Sequence, residues 1–296
     1  MAPKDRQGVA VSEASVTTTG VGFGQRLFEA IEARGPLCVG IDPHSSLIVD
    51  WGFNDDANGL EQFAMRAIEA IAPEVSVVKP QSAFFERFGS KGIAVLERVI
   101  ATAHDAGTLV LLDVKRGDIG STSEAYADAY LDPTSPLAVD AITVSPYLGF
   151  GSLDPFVDAA RKFDAGLFVL AFTSNKEGPE VQLATKLDGE PVGRGVVDRL
   201  RELNDGVEPL GSFGAVIGAT VVPSGEDFDF NGPILAPGFG EQGGTVADLV
   251  RLFGPASSHV LPSTSRGVLR TGPTHESLRT ALAQLHDEVA ALRSDR

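Results

Sequence analysis

Eight short apolar runs punctuate this chain: LCVGID (37–42), VSVVK (75–79), TLVLLD (108–113), AVDAITVS (138–145), GLFVLAFTS (166–174), FGAVIGAT (213–220), PILAPG (233–238) and SHVLPS (258–263). They are near-continuous rather than alternating, the pattern of strands covered on both faces, as in a parallel sheet. Amphipathic segments lie between them. GLEQFAMRAIEAIA (59–72) sets Phe63, Ala67 and Ile71 on one face, and IAVLERVIATAHDAG (93–107) groups Leu96, Val99, Ile100 and Ala103 before the stop at Gly107. ESLRTALAQLHDEVAAL (276–292) carries a stripe of Leu278, Leu282, Leu285, Val289 and Leu292. About two and a half heptads are too few for a coiled coil, so this stripe is expected to pack on a barrel.

Eight strand–helix alternations predict an α/β fold, a (β/α)8 TIM barrel forming one catalytic domain over residues 21–296. Residues 1–20, rich in Ser, Thr, Gly and Val without periodicity, read as a flexible leader. A doubly wound open sheet is the weaker reading, since no GxGxxG follows the first run.

The polar residues fall where such a barrel would use them. Asp42 closes the first run, Lys79 the second, and Asp113 with Lys115 the third. Thr143 and Ser145, Thr173 and Ser174, and Thr220 close the next three; PGFGEQGG (237–244) and TSRG (264–267) follow the last two. Barrel enzymes build their sites at the C-terminal ends of their strands.

Charge and composition exclude several classes. With 24 basic against 40 acidic residues the net charge is −16, wrong for a nucleic-acid binder, though one phosphate needs only a local donor cluster. The first twenty residues lack a signal peptide's apolar core, and no run approaches the ~18 residues of a membrane span, so a cytoplasmic address is expected. The single cysteine, Cys38, reads as core filler. The five histidines, at 44, 104, 259, 275 and 286, make no ligand-spaced cluster for a metal.

The stretch LLDVKRGDIGST (111–122) runs from buried strand into alternating charge. In an extended segment residues two apart share a face, so Asp113 and Lys115 should point together, with Lys79 of the neighbouring strand in reach. An Asp-x-Lys pair alone could equally be a surface ion pair worth about 0–1 kcal/mol. Arg116, Asp118 and a turn of small residues in the same place favour a reactive cluster instead. The glycines of PGFGEQGG offer close backbone approach and a run of amides suited to phosphate, although alone they fit an ordinary loop equally well. With Arg266, a bidentate phosphate ligand, they make Gln242, Gly243 and Arg266 the expected phosphate grip.

LLDVKRGDIGST also resembles the signature of the orotidine 5′-phosphate decarboxylase family: Asp-x-Lys-x-x-Asp-Ile, then Gly or Pro, then Thr one residue later. Asp113, Lys115, Asp118, Ile119, Gly120 and Thr122 occupy its positions. The resemblance extends over residues 22–292 through CVGIDP, VVKPQSAFFE, ITVSPYLGFGSL, FVLAFTSN, VIGAT, PGFGEQGG and SRGVL, and its wording is that of the longer, bacterial branch. It implies cofactor-free decarboxylation of orotidine 5′-monophosphate to uridine 5′-monophosphate, the last step of de novo pyrimidine synthesis. Asp42 and Lys79 would hold ribose hydroxyls, and Ser174 the pyrimidine. Lys79, Asp113, Lys115 and Asp118 would form a charged array in which Lys115 protonates the vacated carbon. Asp118, with Ile119 and Thr122, would reach into the site of a partner subunit, making a homodimer the active unit. Residues 175–192 read as a lid or insertion. Two rival readings are a Mg-dependent sugar-phosphate decarboxylase or aldolase on the same barrel, and a nucleotide-binding barrel without activity.

Overall fold

All eight apolar runs form strands: β1 (Cys38–Ile41), β2 (Val77–Pro80), β3 (Leu109–Arg116), β4 (Ala141–Val144), β5 (Gly166–Phe172), β6 (Phe213–Ile217), β7 (Ile234–Pro237) and β8 (Val260–Thr264). They are parallel and sequential, and β8 closes on β1 through Cys38↔Ser263 and Val39↔Thr264. The structure, a computed structural model, describes residues 20–219, 226–240 and 243–293. The leader up to residue 19, Thr220 and Gln242 therefore lie outside the described residues.

Burial on both faces of the strands explains the near-continuous apolar runs. Val39, Ile41, Val78, Val110, Leu112, Ile142 and Val144 join the outer core beneath the helices. Cys38, Val77, Leu111, Ala141, Phe168, Val216, Leu235 and Leu261 form a second cluster filling the barrel. Burial pushes the Cys38 thiol up to about 12, as befits core filler.

Helix α1 (Phe23–Arg34) precedes β1 and adds Phe23, Leu27 and Ile31 to the inner cluster. The Phe23 ring meets Phe168 edge-on at 6.0 Å, and only a glycine at 166 leaves it room, since a Cβ there would fall 2.2 Å from the ring. After the strands come α2 (Ala57–Ile71), α3 (Gly89–Asp105), α4 (Gly120–Leu131), α5 (Asp154–Lys162), α6 (Val192–Asn204), α7 (Val246–Phe253) and α8 (His275–Val289). The three segments predicted from periodicity are α2, α3 and α8, and α8 buries Leu278, Leu282 and Val289.

The alternation has one gap: among the described residues no helix joins β6 to β7. Phe228 and Phe230 are buried there instead, and the Phe228 ring lies 6.1 Å from Phe172 and 5.6 Å from Phe253. The 175–192 segment is pinned at its base, where the Gln182 side chain accepts from the Thr173 amide (2.9 Å) and donates to its hydroxyl (2.6 Å). Among the described residues no helix is long and apolar enough to cross a membrane.

An ionic clamp secures α1 to the N-terminal end of the barrel. Asp140, buried just ahead of β4, accepts from Arg26, from the Val110 amide at 2.9 Å and pairs with His104 Nε2 at 3.1 Å. Arg26 also donates to the Asp164 carbonyl at 2.9 Å. Burial would raise the Asp140 carboxyl, but the His104 bond, the Arg26 charge and the Val110 amide outweigh it and hold the group at about 2 against an ordinary 3.8. A depressed carboxylate stabilises the fold fully above its unfolded value and loses that contribution as pH falls from 3.8 toward 2. Asp140→Ala should therefore cost about 3–5 kcal/mol in urea titrations at neutral pH, because it strands the partly buried Arg26 guanidinium. The deficit should shrink below pH 3.8; a difference that does not change with pH would assign the loss to packing.

Candidate active site

The C-terminal ends of β2, β3 and β4 place a compact charged array in the barrel mouth. Lys79 of β2 and Asp113 of β3 are each only 6% exposed. Lys79 Nζ lies 3.3 Å from Asp113 Oδ2, and Lys115 Nζ lies 2.7 Å from Asp113 Oδ1, so one carboxylate bridges two ammonium groups. The Thr143 hydroxyl of β4 donates to Asp113 Oδ1 at 2.7 Å and accepts from the Lys115 amide at 2.9 Å. Thr143 is visible in the sequence only as a polar strand end; its bridging role needs the β3–β4 register.

Electrostatics lock this charge pattern. Burial opposes charge on Lys79, yet the Asp42 and Asp113 carboxylates outweigh it and hold its pKa above the ordinary lysine value. Burial likewise opposes charge on Asp113, but Lys79 and Lys115 bring it down to about 2. A buried group with paired charges on both sides is geometrically fixed, whereas the Lys115 side chain is 47% exposed and open to a ligand.

Asp113 and Lys115 do converge, though not by simple strand alternation. Pairing runs regularly to Leu112↔Ile142 and resumes at Arg116↔Val144, with a bulge between. Lys115 sits in that bulge at φ 46°, a left-handed conformation that side-chain-bearing residues adopt at a cost. Arg116 belongs to a different environment: it meets Glu86 at 2.8 Å and the Tyr130 hydroxyl at 3.1 Å, and its guanidinium lies over the Tyr126 ring. It braces the bulge from the outer layer rather than joining the array.

The other predicted residues divide. Asp42 ends β1 beside Lys79, and its Oδ1 is buried with no hydrogen-bond partner among the described residues. Ser174 follows β5 half-buried, its Cβ 2.9 Å from where a side chain would begin at Gly218. Arg266 opens the helical turn after β8, Arg266–Leu269. Asp118 stands apart: its Oδ1 accepts from the Ile119 amide at 2.8 Å, and it makes no ion pair with the chain's own Lys79 or Lys115. Ile119 and Thr122 are exposed beyond it. Gly243 is exposed at φ 85° in a loop whose amides are less available than its glycines suggest. Gly240, Gly243 and Gly244 each donate within the loop, to Gly244, Gly240 and Gly238 respectively.

Among the described residues no group of three or more His, Cys, Asp or Glu side chains is placed to hold a metal ion. A closed parallel barrel with a lysine–aspartate–lysine array at the C-terminal ends of its strands has the architecture of a barrel enzyme. Residues 35–281 match the model of the Orotidine 5′-phosphate decarboxylase / HUMPS family, and the chain belongs to that family. It is 67% identical to an orotidine 5′-phosphate decarboxylase of Nocardioides sp., covering 90% of this chain and 98% of the relative. The Streptomyces coelicolor enzyme of the same name is 58% identical over 90% and 96%. Among solved structures, a Streptomyces avermitilis protein matches with a TM-score of 0.90 at 55% identity, covering 96% of this chain and 99% of that one. Leishmania donovani OMP decarboxylase matches at 0.73 and 32% identity, over 92% and 99%.

Proposed function

We propose that this chain decarboxylates orotidine 5′-monophosphate to uridine 5′-monophosphate and carbon dioxide, the last step of pyrimidine nucleotide synthesis, using its own side chains and no cofactor. The observation that carries the mechanism is the half-exposed Lys115 ammonium held 2.7 Å from a buried carboxylate at the barrel mouth. When the carbon–carbon bond breaks, the electron pair remains in an in-plane orbital of the pyrimidine, where the ring carbonyls do not delocalise it. An ammonium fixed beside that carbon stabilises the developing charge and then supplies the proton; solvent restores the lysine. Asp113 orients Lys115. Asp42 and Lys79 take the ribose hydroxyls, Ser174 the base, and Gln242, Gly243 and Arg266 the phosphate.

The site is read as shared within a homodimer. The 117–119 turn rests on β4's exit, since a Cβ on Gly117 would lie 2.4 Å from the Ser145 carbonyl oxygen. Ile119, Tyr147 and Leu148 there are 63%, 76% and 53% exposed, an apolar edge beside the mouth that a second copy would cover. Asp118, Ile119 and Thr122 would cross with it into the partner's site. A cytoplasmic address fits an enzyme acting on a nucleotide pool.

The matching family is described jointly as orotidine 5′-phosphate decarboxylase and HUMPS, and the 67% and 58% identical relatives, both orotidine 5′-phosphate decarboxylases, favour the former over a metal-dependent rival. Ultraviolet monitoring of orotidine 5′-monophosphate should show turnover that persists in excess chelator. Activity abolished by chelator and restored by Mg²⁺ would support the metal-dependent rival. Binding without turnover would leave only a nucleotide-binding barrel.

A further inference from the structure

At the end of β8, next to Arg266, the Ser265 hydroxyl is buried and has no hydrogen-bond partner among the described residues. Asp42 Oδ1, at the end of neighbouring β1, is in the same condition. The two residues flank one point: a Cβ built on Gly40 would lie 2.8 Å from Ser265 Cβ and 3.0 and 3.2 Å from the two Asp42 carboxylate oxygens. Glycine at 40 thus lets both side chains close over β1, level with Lys79, its partner in register. Buried polar atoms are normally satisfied, so two adjacent unpaired groups in an enzyme's mouth suit one shared partner of definite chemistry. A carboxylate only accepts, whereas a serine hydroxyl also donates. A group that donates to Asp42 while accepting from Ser265 completes both; an alcohol does so, and in a nucleotide site the alcohol at hand is a ribose hydroxyl.

We infer that Ser265 is a further substrate-binding residue, donating a hydrogen bond to the same ribose hydroxyl that donates to Asp42. The inference rests on the reading of Asp42 as a ribose ligand and extends it to a residue outside the array. Its place between Asp42 and Arg266 puts it along the span from sugar to phosphate. Because sugar contacts persist through the reaction, the loss should appear in kcat/KM rather than only in kcat.

The test is Ser265→Ala, assayed with orotidine 5′-monophosphate and with its 2′-deoxy and 3′-deoxy analogues. The variant should lose about ten-fold in kcat/KM on the parent substrate, the scale of one hydrogen bond in a buried site. On one of the deoxy analogues, variant and wild type should become equal. Thermal stability of the ligand-free variant should match or exceed wild type, because the removed hydroxyl bonds to none of the described residues. Equal kcat/KM on the parent would overturn the inference. So would an equal loss on all three substrates, which would mean a bridging water or a packing role only, as would a lowered melting temperature with unchanged binding of uridine 5′-monophosphate. Absence of wild-type turnover would instead refute the decarboxylase reading itself.

Discussion

Lys115→Ala should reduce kcat by several orders of magnitude while leaving the fold intact. General acid catalysis contributes typically about 10²–10⁴-fold and preorganised charge about 10²–10³-fold, and here one amine is assigned both tasks. A decarboxylation this slow requires roughly 20 kcal/mol of barrier lowering, so much of it must pass through the group that faces the carbanion. Lys115→Arg should be nearly as damaging, since a guanidinium keeps the charge but releases no proton at neutral pH and has a different shape. The backbone supplies a control. Position 115 sits at φ 46°, so Lys115→Gly should be about 1 kcal/mol more stable than Lys115→Ala, both having lost the ion pair to Asp113, while both abolish turnover. A higher melting temperature for the glycine variant than for the alanine variant would mark backbone strain maintained for function. A kcat for Lys115→Ala within ten-fold of wild type would remove Lys115 from the reaction.

Most of the barrel was legible because its physics is local. A strand buried on both faces must be apolar along its length, and a residue that interrupts it at the C-terminal end marks the mouth; Asp42, Lys79 and Asp113 all follow that rule. What was hidden depended on register or packing. The bulge that turns Lys115 inward and Arg116 outward arises from β3–β4 pairing and from the Glu86–Arg116–Tyr130 contacts, none of which shows as periodicity. Thr143 becomes meaningful only once it lies between Asp113 and Lys115. The glycine-rich loop is more self-bonded than its composition suggests, since the amides of Gly240, Gly243 and Gly244 donate within its own turn. Among the described residues the β6–β7 connection shows no helix of the kind alternation leads one to expect, and Phe228 and Phe230 are buried there instead.

Mixing two nearly inactive variants, Lys115→Ala and Asp118→Ala, should regenerate activity after subunit exchange. In a twofold dimer each site would take Lys115 from one chain and Asp118 from the other. A mixed dimer then contains one site with both defects and one with neither. Random reassortment makes half the dimers mixed, so recovery should approach about a quarter of the wild-type rate. The geometry motivating this is specific: Asp118 pairs with neither lysine of its own chain, and its carboxylate caps the adjoining Ile119 amide beside an exposed apolar edge. A carboxylate serving its own site would be expected among the array's ion pairs, where Asp113 alone bridges both lysines. Exchange can be demonstrated independently with differently tagged chains. If tagged heterodimers form and the mixture stays inactive, each site is complete within one chain and the cross-subunit role of Asp118 fails, while the function of Lys115 stands untouched.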